Sequence, residues 1–158
     1  MPEFSITSPD FNEGEEIPKK CGYKHGNERP QLKFHNSKEI DAKSVAVVMD
    51  DPDAMAAVGK VWVHYLRYIT DLPPPPPAPT TTFYDENESD VMGLNDFGET
   101  DYGGPAPPDK RHTYVFKAYA LDTTLDLNEG YSKQELEDAM KGHIIAEAKL
   151  TGTYDPFI

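Results

Sequence analysis

Two aspartates, two histidines and a tyrosine stand at spacings that let them meet. Asp51 and Asp53 flank Pro52 at the C-terminal end of the β-branched run Ser44–Met49, and His64 falls in the next apolar run. His112 and Tyr114 follow the stretch Gly103-Gly-Pro-Ala-Pro-Pro108. Imidazole and phenol groups offer hydrogen-bond donors, and carboxylates beside imidazoles orient the rings and favour their charged form. If these groups converge, with backbone donors from the glycine-proline loop, they form a small pocket suited to a phosphate or a carboxylate. The ligand types of Asp51, Asp53, His64 and His112 also suit a metal. Their spacing matches no compact metal motif and Asp–His pairs commonly bond each other, so neither a metal nor a cofactor is expected. On local pattern alone, a plain hairpin loop entering a core strand, with a buried and satisfied histidine, is the favoured explanation.

The elements that must position these groups are mostly strands. Gly103-Gly104 can adopt positive φ and leave backbone N–H groups uncovered, while Pro105, Pro107 and Pro108 fix φ and remove donors, giving a stiff, open loop. From His112 strict alternation puts His112, Tyr114 and Phe116 on one face and Thr113, Val115, Lys117 and Tyr119 on the other. Ser44–Met49 reads as a strand buried on both faces, ended by Pro52. The 61–70 stretch reads as another, with Trp62, His64, Leu66 and Tyr68 sharing a face. Phe4, Ile6 and Phe11 suggest an edge strand plus loop, and Gln31–Phe34 a short strand. Ser132-Lys-Gln-Glu135 has capping-box form and predicts a helix of about ten residues with Leu136, Ala139 and Met140 on its apolar face. Ile144 to Tyr154 alternates as a final half-buried strand. Residues 71–94, with the prolines of 73–79 and no periodicity after them, read as a proline-rich surface loop and stiff spacer.

Composition sets the frame. The 158 residues suit one domain over 1–158, and the prolines, glycines and tyrosines scattered among short apolar runs point to a mainly β chain. Twenty-eight acidic against fifteen basic residues give a net charge of −13, which disfavours nucleic acid and anionic membranes. Cys21 is the sole cysteine, the N-terminus has no basic segment before an apolar run, and no apolar stretch reaches the length of a membrane span. A cytoplasmic protein is expected; a homodimer is compatible with the sequence. There is no Gly-x-Ser-x-Gly elbow, Cys21 has no identifiable partner, and Asp96-Phe97-Gly98 lacks every other part of a kinase.

Taken together, Asp51-Pro-Asp-Ala54, Trp62-Val-His64, Asn95-Asp-Phe-Gly98, Tyr102-Gly-Gly-Pro-Ala-Pro-Pro108 and His112-Thr-Tyr114 resemble the phosphatidylethanolamine-binding protein family, in its bacterial and archaeal Raf-kinase-inhibitor-like branch. Ser8-Pro-Asp-Phe11 and Gly14-Glu-Glu-Ile-Pro18 extend the likeness to the N-terminus. The resemblance implies a large central antiparallel sheet packed on a smaller one, with one or two short helices near the C-terminus and an anion pocket at one end. It implies that Asp51, Asp53, His64, Pro108, His112 and Tyr114 line that pocket, with Ala106 and Pro107 supplying its loop. It implies binding rather than turnover: a small anionic ligand or phosphorylated group, and a kinase or protease as partner. Three positions depart from the pattern. Met55 stands where a proline is usual, Tyr65 where a tryptophan is, and Thr113 where an arginine separates the histidine and tyrosine.

The expectation is thus a non-enzymatic anion-binding protein. If His64 and His112 must both be charged, affinity falls as pH rises past about 6.5. The rival is a metal- or acid/base-dependent enzyme using Asp51, His64 and His112. A third reading has the polyproline segment recruit a partner, so that deleting residues 73–79 abolishes association.

Overall fold

The computed structural model describes residues 4–36, 41–70, 80–83 and 90–156. Within them β1 (Phe4–Thr7), β2 (Lys33–Asn36) and β5 (Thr80–Phe83) form a small sheet in the order β1-β2-β5. The large sheet runs β6-β4-β3-β7-β8, from β6 (Val91–Met92) through β4 (Trp62–Ile69), β3 (Ser44–Asp51) and β7 (His112–Leu121) to β8 (Ile144–Tyr154). Every pairing between these strands is antiparallel. The chain is mainly β, as expected.

The central place of β3 follows from its composition. All eight of its residues are buried, because it is covered on both faces. Val45, Val47 and Met49 pack with Ile6 and Phe34 of the small sheet, and Ala46 and Val48 with Leu136 and Met140 of α2 (Lys133–Met140). A continuous β-branched run satisfies two apolar neighbours at once. The predicted capping box is present: Ser132 Oγ accepts from Glu135 N, and the Glu135 carboxylate accepts from Ser132 N. Asp50 anchors the same helix, accepting from Lys133 Nζ at 3.1 Å and Lys117 Nζ at 3.2 Å.

Two expectations change. The Gln31–Phe34 strand is shifted to Lys33–Asn36, because Gln31 N donates to the Asp10 carboxylate instead of a ladder. The 71–94 stretch is not all loop: 80–83 is β5 and 91–92 is β6. Threonine-rich segments favour extended pairing without alternating hydrophobicity, so periodicity misses them. The proline run 73–79 lies outside the described residues. The short helix expected near the C-terminus is α2, and a further one, α1 (Ala54–Val58), follows Asp53 directly and closes on Gly59 in the left-handed region, at φ 79°.

Candidate functional site

The end of the large sheet where β3 gives way to α1 is shaped by an irregularity in β4. Pairing runs in register to Met49 opposite Tyr65, then Asp50 lies opposite Val63, which leaves His64 as an extra residue. Such a bulge reverses the alternation of faces. Leu66, Tyr68 and Val63 pack toward α2, whereas Tyr65 and Ile69 pack toward the small sheet. Trp62 and His64 therefore do not share a face with Leu66 and Tyr68 as expected; they turn into a cavity beside β7.

That cavity, about 230 Å³, is lined by Asp51, His64, Ala106, Pro108, His112 and Tyr114. Asp53 and Pro107, expected in the pocket, do not line it. Asp53 buttresses it from behind, donating its N–H to Asp51 Oδ1 at 3.0 Å and accepting from Thr113 N at 2.8 Å. Pro107 faces a smaller hollow of about 90 Å³ on the far side of the loop, with Lys24, His25, Tyr154 and Asp155. Ala106 and Pro108 are the wall between the two.

Five lining residues were not foreseen as such: Ala54, Ala57 and Val58 from α1, Trp62, and Phe97. Phe97 is placed by a tight turn. Asn95, buried, accepts from Phe97 N and Glu99 N through Oδ1 and donates through Nδ2 to Asp101 O, while Asp96 accepts from Val63 N. The ring stacks on Tyr23 at 4.0 Å and meets Trp62 and His64 edge-on at 5.6 and 5.5 Å. An Asn-x-Phe-Gly turn was legible as a local device; that its aromatic ring would face the histidine was not.

The glycine-proline loop works differently from the expectation. Neither Gly103 nor Gly104 has positive φ. Both are glycine because of close approach: an added Cβ would lie 2.4 Å from the Phe97 ring and 2.0 Å from the Cys21 carbonyl oxygen. Nor are their N–H groups uncovered. Gly103 N donates to His64 O at 2.9 Å and Gly104 N to Asn27 Oδ1 at 2.7 Å. The loop supplies a rigid wall, and the Gly103 and Gly104 N–H groups are engaged within the fold.

Those side chains are unequal. His64 Nδ1 donates to Gly103 O at 2.7 Å; burial, only partly opposed by neighbouring carbonyls and carboxylates, pulls its pKa down to about 4. It is neutral at pH 7. His112 is the opposite case, with Nδ1 2.6 Å from Asp51 Oδ2 and Nε2 2.7 Å from Asp109 Oδ1. Burial alone would lower its pKa, but the bonds and charges of Asp51 and Asp109 outweigh that and raise it. With carboxylates on both nitrogens the ring is a cation. Burial raises the Asp51 pKa against the pull of His112, so the pair shares its proton tightly. Tyr114 is fully buried, its ring 5.1 Å from that of His64, and among the described residues its hydroxyl has no hydrogen-bond partner. Asp51 and the Ala106 backbone act on it electrostatically without meeting hydrogen-bond geometry. The arginine absent at Thr113 is not replaced by Arg111, which is bound to Asp155 through two nitrogens and to Glu16.

Comparison with known proteins agrees with this architecture. A family model described as phosphatidylethanolamine-binding protein matches residues 7–155. A UPF0098 protein of Methanothermobacter thermautotrophicus is 40% identical over 159 residues, covering 96% of this chain and 98% of that one. One from Chlamydia muridarum is 38% identical over 155 residues, covering 96% and 99%. Among solved structures, a phosphatidylethanolamine-binding protein homolog from Chlamydia trachomatis superposes with a TM-score of 0.80 at 37% identity, covering 96% of each chain. E. coli YbcL, described as a new member of the mammalian PEBP family, gives 0.80 at 29% identity, covering 96% of this chain and 98% of that one.

Proposed function

Since the chain belongs to the phosphatidylethanolamine-binding protein family, we propose that it is a non-enzymatic binding protein whose cavity takes a small, singly charged phosphate compound of the phosphate or phosphoethanolamine kind. The observation that carries this reading is the Tyr114 hydroxyl, buried without a partner in a cavity that His112 also lines. An unsatisfied buried polar group costs about 1–3 kcal/mol, and a phosphate oxygen accepting from the hydroxyl would recover it. Trp62, Phe97 and Val58 offer an apolar wall for a short organic substituent.

Charge argues for the monoanion. One imidazolium faces two carboxylates, and His64 adds no positive charge. A dianion would meet net repulsion, whereas a phosphate that keeps one proton can donate it to the spare lone pairs of Asp51. This revises the sequence expectation that both histidines are charged. Turnover has little support: with both ring nitrogens donating, His112 has no lone pair to act as a base, and the cavity lining holds no Ser, Thr, Cys or Lys nucleophile. Among the described residues no group of three or more His, Cys, Asp or Glu is arranged to hold a metal. A phosphorylated side chain of a kinase or protease presents the same chemistry as a free phosphate monoester.

Calorimetric titration with inorganic phosphate and with phosphoethanolamine tests the reading. Because phosphomonoesters lose their second proton near pH 6, the affinity for phosphoethanolamine should be at least about tenfold weaker at pH 8 than at pH 5.5, that for inorganic phosphate should fall in the same direction, and both should be absent in His112→Gln. Equal or tighter binding at pH 8 would overturn the monoanion reading; full affinity in His112→Gln would overturn the site.

A further inference from the structure

The two carboxylates on His112 are not equivalent. Asp51 belongs to the fully buried β3, and its other oxygen takes the Asp53 N–H. Asp109 lies in the bend after Pro108, its side chain 41% exposed against 0% for His112. His112 lines the cavity and Asp109 does not, so the Asp109 carboxylate reaches the ring from the rim. His112 is its sole side-chain partner among the described residues.

An incoming oxyanion needs a donor from this ring. Nδ1 is held inside the sheet by Asp51, and Tyr154 lies opposite His112 on β8, so Nε2 is the nitrogen that faces outward. Asp109 already occupies it. We propose that Asp109 is an internal ligand of the cavity, a carboxylate standing in for the bound anion, which turns out to solvent when a phosphate compound takes its place on His112. The neighbouring backbone need not move: Pro108 fixes φ on one side, and Arg111 is clamped to Asp155 on the other. The bound state then requires only rotation of one short, half-exposed side chain. Selectivity follows, because a neutral polar ligand cannot outcompete a carboxylate for an imidazolium, whereas an oxyanion with more acceptor oxygens can.

This inference rests on the anion reading above, and two measurements separate their failures. In the ligand-free protein, ¹⁵N NMR should show the His112 Nε2 resonance displaced in Asp109→Ala relative to wild type. An unmoved resonance overturns the internal ligand and leaves the anion reading intact. Calorimetry with inorganic phosphate at pH 6 should find Asp109→Ala about threefold to fivefold tighter than wild type, the upper end of the scale of a partly exposed charge pair, with Asp109→Asn in the same direction. Glu16→Gln removes a surface carboxylate that pairs with Arg111 rather than His112, and should stay within about twofold of wild type. Equal or weaker binding by Asp109→Ala, or equal tightening by Glu16→Gln, refutes displacement. No phosphate binding in wild type or Asp109→Ala, with the resonance displaced, refutes the anion reading and this inference with it.

Discussion

Replacing Tyr114 with phenylalanine should stabilise the free protein and weaken its ligand binding at once. The ring is wholly buried and packs among Met49, Phe116 and Tyr154, so the substitution keeps nearly all of the side-chain volume. What disappears is a hydroxyl without a partner, held protonated because burial raises its pKa far above the ordinary tyrosine range. Relief of an unsatisfied buried donor is worth about 1 kcal/mol or somewhat more, which at this chain length raises Tm by about 2–4 °C. Binding moves the other way. A hydrogen bond to a charged acceptor contributes about 1.5–3 kcal/mol, so the phosphate affinity of Tyr114→Phe should fall about tenfold to a hundredfold. A thermal melt without ligand and a phosphate titration at pH 6 measure the two halves. A variant that melts below wild type and binds phosphate unchanged would show that the hydroxyl is satisfied within the fold and is not a ligand donor.

His64 should make the fold acid-sensitive in a defined window. Its folded pKa of about 4 lies below the unfolded 6.5, so the unfolded chain takes up the proton first and stability is lost as pH falls from about 6.5 to 4. The loss amounts to about 3 kcal/mol at 1.36 kcal/mol per pKa unit. Melts at pH 7, 5.5 and 4 should slope less steeply for His64→Gln, and parallel slopes would refute the assignment. Gly104→Ala should fail to give a stable fold, because the Cβ would meet the Cys21 carbonyl oxygen at 2.0 Å, a backbone atom that cannot rotate away. Soluble Gly104→Ala with wild-type Tm would contradict the observed loop path.

How much of this was legible depended on whether a pattern had one physical cause. The Ser44–Met49 run announces a doubly buried strand, and β7 keeps strict alternation, so placing His112, Tyr114 and Phe116 on one face followed directly. The β4 segment resisted for the opposite reason. Apart from Arg67 its residues are apolar or aromatic on both sides, so the shift of phase at His64 leaves no trace in the composition, and only pairing with β3 reveals it. Gly103 and Gly104 misled because glycine serves both positive φ and close approach, and only the positions of Phe97 and Cys21 distinguish the two. Asp109 carried no signal of its own in the sequence, because its proximity to His112 Nε2 depends on how the bend enters β7. That Asp53 would accept from the Thr113 backbone N–H left no sign in the sequence.

The wall between the two hollows has a history within each folding event. Tyr102 donates its hydroxyl to Cys21 O, Gly104 N donates to Asn27, Asn27 Nδ2 to Tyr102 O, and Tyr23 N to Pro105 O. These bonds join segments 75 to 82 residues apart in the chain, bringing an early-synthesised stretch against one made much later. Contacts of such separation carry a large loop-closure entropy before they return any enthalpy. Closing this wall therefore carries a loop-closure cost of the same kind as pairing β3 with β7, and its first residues emerge from synthesis long before their partners exist.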